Sequence, residues 1–97
     1  MRVISRKALV NCWVRYPETE QALKSWYKEI SFAQWSTPNE LKLDFPSASI
    51  LQKGRVIFNI KGNSFRIVVR INFSYQLVWI RFVGTHLEYD NIDANSI

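Results

Sequence analysis

The sequence predicts an α+β domain: an N-terminal strand and an α-hairpin packed on one side of a small antiparallel sheet. Three observations predict it. Between Lys53 and Asp90, three consecutive runs carry apolar residues at every second position. Before them, two stretches carry apolar stripes at helical spacing, joined at a single proline. The gaps between the three later runs are too short for anything but hairpin turns. At 97 residues the chain makes one domain, residues 1–97, with one core.

In chain order, Arg2 to Ser5 reads as a short strand, and Ser5 suits a helix N-cap. From Arg6 to Tyr16 the stripe is Ala8, Leu9, Cys12, Trp13 and Tyr16. Pro17 breaks that helix and can open the next, where its missing N–H costs nothing. Glu18 and Glu20 then sit at the positive end of the second helix dipole. Its stripe, Ala22, Leu23, Trp26, Tyr27 and Ile30, repeats the offsets of the first. Trp13 and Trp26 both fall on the stripes and are assigned to the core. From Gln34 to Gln52 the periodicity fades around Pro38 and Pro46. This reads as a loop with one turn of helix near Asn39 to Leu43, long enough to cover a sheet edge or touch a partner.

The three runs then follow. Val56, Phe58 and Ile60 alternate with Arg55, Ile57, Asn59 and Lys61. Phe65, Ile67, Val69, Ile71 and Phe73 alternate with Arg66, Val68, Arg70 and Asn72. Val78, Ile80 and Phe82 alternate with Leu77, Trp79, Arg81 and Val83. Two-residue loops at Gly62-Asn63 and Ser74-Tyr75 set Phe58 opposite Ile67, and Val69 opposite Ile80. All three apolar sets then share one face. The other face, expected to be open, collects Arg55, Asn59, Lys61, Arg66, Arg70, Trp79 and Arg81. The residues after Asp90 are expected to form a short helix or to fray.

Charge points to the partner. Net charge is +5. No acidic residue lies between Asp44 and Glu88, while Lys53, Arg55, Lys61, Arg66, Arg70 and Arg81 do. Like charges gathered on one sheet repel, so an anionic partner is expected, nucleic acid first. With Cys12 as the only cysteine, an intramolecular disulfide and a tetrahedral cysteine zinc site are excluded. No apolar run approaches the ~20 residues of a membrane span, and the N-terminus lacks a signal-peptide core. A cytoplasmic protein with no membrane partner is expected.

Three segments bring a family into view: Phe58-Asn59-Ile60-Lys61-Gly62-Asn63, Phe65-Arg66-Ile67-Val68 and Thr85-His86-Leu87-Glu88-Tyr89-Asp90. In order and spacing they resemble the F-N-x-x-G-N, R-[IVL]-V and T-H-x-E-Y-D segments of HigB toxins, within the RelE-like superfamily. Val3-Ile4, Lys7-Ala8-Leu9 and Tyr16-Pro17 are similar to the family as well. The resemblance implies a β-α-α-β-β-β microbial-ribonuclease-like fold and a type II toxin that cleaves mRNA on the ribosome. It implies a HigA-like antitoxin as partner, with operator DNA bound only through the toxin–antitoxin complex. No cofactor and no metal are implied.

Metal-independent RNA cleavage uses the neighbouring 2′-hydroxyl as nucleophile. It needs proton transfer at two oxygens and cations for the charge building on phosphorus. His86, the only histidine, is the candidate for proton transfer, because imidazole ordinarily titrates near neutrality. Tyr89 is the candidate for stacking on a base or for a second proton transfer. Arg66 is assigned to the phosphorane, with Lys61 assisting. Lys53, Arg55, Asn63, Arg70, Trp79 and Arg81 are RNA-binding candidates, Trp79 as a stacking platform and Asn63 beside its plainer reading as a turn residue. Glu88 is a candidate base, beside its reading as the holder of a neighbouring arginine. A non-catalytic RNA- or ribosome-binding module is the alternative.

Overall fold

The computed structural model describes residues 1–62 and 64–97. It shows an α+β domain with three helices on one side of a five-stranded sheet. Strand β1 (Arg2–Ile4) leads into α1 (Arg6–Arg15). A single 3-10 turn, Pro17–Thr19, connects it to α2 (Glu20–Phe32), and α3 (Pro38–Asp44) follows. Then come β2 (Ser49–Ile50), β3 (Arg55–Ile60), β4 (Phe65–Asn72), β5 (Leu77–Thr85) and α4 (His86–Asp90). The sheet order is β1-β5-β4-β3-β2. It is mixed, not purely antiparallel, because β1 lies parallel to β5 with Val3 opposite Val78. Among the described residues no helix is long and apolar enough to cross a membrane.

The core lies between helices and sheet. Leu9, Cys12, Leu23, Trp26, Ile30 and Leu41 bury against Val56, Phe58, Ile67, Val69, Val78 and Ile80. Phe58 is its centre. Its ring meets Trp26 edge-on at 5.4 Å and Phe45 at 5.0 Å. Burying a side chain of this size contributes about 2–3 kcal/mol. Trp13 is half-buried and packs at the margin, with Arg6 and Lys24 over its ring. Ser5 precedes α1 but does not cap it. Its backbone is left-handed (φ 76°) and its hydroxyl makes no capping bond. The side-chain cap appears instead at α3, where Thr37 and Glu40 close a capping box around Pro38. The expected single turn of helix is therefore two turns. The same segment goes on to supply β2, which pairs with the edge strand β3.

The hairpin registers follow the alternation. Phe58 faces Ile67, Ile60 faces Phe65, Ile71 faces Val78 and Val69 faces Ile80. The turns differ from expectation. The β4–β5 loop is four residues, Phe73 to Gln76, with the positive φ carried by Gln76 at 57°. Asn72 Oδ1 accepts the Tyr75 N–H there at 3.0 Å. At the β3–β4 turn Lys61 already has φ 52° and lies outside the strand; Asn63, expected in that loop, lies outside the described residues.

Two findings correct the picture of an open basic face. The first is a β-bulge. Val69 pairs with Ile80 but Val68 pairs with Phe82, so Arg81 is the extra residue. Beyond it the faces exchange. Val83 joins the main core and Phe82, expected there, crosses to the second face. The second is the C-terminal segment. Ala94 is buried with Ile57 and Val68, and Leu51, Phe82, Tyr89, Ile92 and Ile97 pack around them. The middle of the second face is thus an apolar ridge under the end of the chain. The cations lie on either side of it.

Candidate functional site

The site is built where β5 runs into α4. Thr85 is extended (φ −70°, ψ 163°) and caps the helix. Its hydroxyl accepts the Glu88 N–H at 3.1 Å, and its own N–H donates to Glu88 Oε1 at 2.8 Å. Arg15 of α1 reaches Glu88 Oε2 at 3.1 Å. Glu88 therefore clamps α4 to the strand it leaves and to α1. The Thr85 N–H is the main reason its carboxyl lies below the usual carboxylate range. The Thr85 hydroxyl and the Arg15 guanidinium add to that, against some desolvation. Gly84 leaves the room this clamp needs: a Cβ there would stand 2.8 Å from both Glu88 Oε1 and the Phe82 ring. The first residue of the helix is tied across the sheet, its N–H donating to Ser64 O at 3.1 Å.

That frame gathers His86, Tyr89 and Arg66. The His86 Nδ1 lies 3.1 Å from Asp90 Oδ2, one helical turn on. The His86 and Tyr89 rings meet edge-on with centroids 6.4 Å apart. Arg66, from the strand facing β5, lays its guanidinium against the Tyr89 ring at 4.5 Å. The Arg66 Nε is buried and finds no hydrogen-bond partner among the described residues. A buried, unsatisfied charged donor is uncommon and costly without a ligand. Asp90 and Phe82 are the members of this cluster that the sequence did not flag. Asp90 stands four residues after His86, the spacing that joins two side chains on a helix, which was the available signal. Phe82 was hidden by the bulge.

The other candidates are distributed. Lys61 Nζ donates to Glu18 O at 3.3 Å, at the corner of the α-hairpin. Arg55 Nε donates to Ile97 O at 2.9 Å and so ties down the C-terminal segment. Lys53, Arg70, Trp79 and Arg81 line one groove beyond the apolar ridge.

Comparison with known proteins places the whole chain. A family described as HigB_toxin, the RelE-like toxic component of a toxin–antitoxin system, matches residues 19–92. The chain belongs to the HigB toxin family. The mRNA interferase toxin HigB of Escherichia coli (strain K12) is 36% identical to it, over 97% of this chain and 92% of that protein. The mRNA interferase HigB of Shigella flexneri shows the same identity and coverage. That of Escherichia coli O6:H1 is 29% identical, over 95% of this chain and 91% of its own. The HigB family match spans α2 through α4 and so includes Arg66, His86, Tyr89 and Asp90.

Proposed function

We propose that the chain is the toxin of a type II pair and an mRNA interferase, a metal-independent endoribonuclease that cuts message on the ribosome. The observation that carries this reading is the Arg66–Tyr89–His86 cluster in a chain of the HigB toxin family. It joins an imidazole and a guanidinium through one phenol, the His86 and Tyr89 ring centroids 6.4 Å apart and the Arg66 guanidinium 4.5 Å from the Tyr89 ring.

In this mechanism the 2′-hydroxyl beside the scissile phosphate attacks phosphorus, and the 5′-oxygen of the next nucleotide leaves. Arg66 holds the phosphate oxygens as their charge rises. Tyr89, stacked on that guanidinium, keeps its plane turned toward the phosphate. Asp90 accepts the Nδ1 proton of His86 and so leaves Nε2 for transfer to or from the reacting oxygens. One imidazole cannot serve both oxygens in the same step, so the Tyr89 hydroxyl takes the second transfer. Glu88, whose carboxylate is already engaged by Thr85 and Arg15 and whose pKa is lowered, is a positioning residue in this scheme. Lys61 supports the site electrostatically from the turn. Lys53, Arg55, Arg70 and Arg81 attract the message. A HigA-like antitoxin neutralises the toxin, and the pair reaches operator DNA through the antitoxin.

The test is induction of the wild-type chain in a bacterial host, with growth followed and the 5′ ends of mRNA mapped. The reading predicts growth arrest with new 5′ ends inside translated frames, both suppressed by co-expression of the cognate antitoxin. Soluble protein that gives neither arrest nor new ends would leave a non-catalytic RNA-binding module.

A further inference from the structure

Beyond the apolar ridge, the second face holds a groove of about 540 Å³ lined by Lys53, Gly54, Arg70, Asn72, Trp79 and Arg81, among others. No acidic residue lines it. Its three cations are exposed and make no ion pair or hydrogen bond among the described residues. Elsewhere Arg15 and Lys24 are engaged by carboxylates, and Arg55 and Lys61 by carbonyls.

The backbone builds this groove deliberately. Arg81 is the extra residue of the bulge, left unpaired where the ladder shifts register and so re-aimed relative to its neighbours. On the opposite wall Lys53 (φ 57°) and Gly54 (φ 76°) both hold the left-handed conformation. Gly54 must be glycine, because a Cβ there would stand 2.5 Å from Ile71 O. Lys53 need not be lysine for the backbone's sake, since glycine would relax it. The chain keeps a cation there against local strain. Beside the cations lies the indole of Trp79, partly buried, opposite Arg70 in the ladder.

Position relative to Arg66 says which part of a ligand would reach the groove. Arg66 and Arg70 share a face of β4 and are four residues apart, about 13 Å along the strand. A nucleotide has as many backbone bonds as two amino-acid residues, which extend to about 7 Å. With the C-terminal segment covering Val68 between them, the groove is at least about two nucleotides from a phosphate held at Arg66.

We propose that this groove is a nucleotide subsite for single-stranded RNA. Trp79 stacks on one base, and Lys53, Arg70 and Arg81 hold the phosphates around it. The strand passes over the C-terminal segment that covers Ile57 and Val68 to reach it. The distance from the cut rests on the function proposed above; the binding itself does not.

Non-cleavable 2′-O-methyl RNA separates the two. Affinity of the full chain for oligomers of increasing length, from dinucleotide to hexanucleotide, is measured by anisotropy together with tryptophan quenching. The wild type is expected to bind the hexamer at least ten times more tightly than the dimer. Trp79→Ala and Arg81→Ala each lower hexamer affinity by about tenfold or more. Trp79→Phe, which keeps an aromatic face, recovers most of it, and Lys28→Ala on the helical side changes nothing. Hexamer binding within twofold of wild type in both alanine variants would overturn the proposal. So would a wild type that binds no oligomer, or one that binds a polyglutamate peptide as well as RNA, which would mark a plain anion surface. Length-dependent binding lost in Trp79→Ala, in a protein that cuts no message in cells, would sustain the groove while removing the nuclease. Cleavage of message with unchanged KM in Trp79→Ala would do the reverse.

Discussion

His86→Ala is expected to lower the single-turnover rate of message cleavage on programmed ribosomes by about 10²–10⁴-fold, the usual worth of a positioned proton-transfer group. The side chain is half exposed, touches the Tyr89 ring, and among the described residues bonds to Asp90 one helical turn on. Its removal should therefore leave the fold intact, with stability changed by less than about 0.5 kcal/mol. Binding to the ribosome should survive, so the loss belongs to the chemical step. Urea denaturation of the same preparation checks the first half, and rapid-quench cleavage the second. A rate within threefold of wild type would move proton transfer away from His86.

Arg66→Ala is expected to cost about 10²–10³-fold in cleavage, the typical loss when one preorganised charge-stabilising donor is removed. Its structural role is smaller. The contact with the Tyr89 ring contributes about 0.5–1 kcal/mol, and no hydrogen bond to the buried Nε is lost, since none is made among the described residues. Thermal melts should fall only slightly. Arg66→Lys retains the charge but neither the planar fork nor the full stack, so it should recover only part of the rate. An Arg66→Ala protein that fails to fold would instead make this arginine part of the structure.

The contrast between these two residues and their surroundings shows what was legible in the sequence. Strand pairing was, because a one-residue slip would bury arginines, and the period-two pattern of Phe65 to Phe73 allows one register. The α-hairpin was, because both stripes share offsets and meet at Pro17. The bulge at Arg81 was not. Alternation through Val78, Ile80 and Phe82 continues unbroken in the sequence, and only pairing against β4 exposes the extra residue. The cover over the second face was missed for a related reason. Ala94, Ile92 and Ile97 are too sparse to show a period, yet Ile57 and Val68 on the supposedly open face needed a partner. Strand β1 was expected at Arg2 to Ser5, but not its parallel pairing with β5, and β2, with two residues, is below the length at which alternation can be seen. Of the site, His86, Tyr89 and Arg66 stood out by residue type. Asp90 needed the helix before its spacing from His86 meant contact.

The chemistry of the cut ends tests the central claim most directly. Attack by the 2′-hydroxyl, with His86, Tyr89 and Arg66 serving the three demands of that reaction, leaves a 2′,3′-cyclic phosphate on one fragment and a 5′-hydroxyl on the other. Mass spectrometry of message fragments from ribosomes treated with the purified chain should find those termini, and far fewer of them in the same time with Arg66→Ala. A 5′-phosphate paired with a free 3′-hydroxyl would mean that water attacked phosphorus, and would contradict the mechanism at its first step.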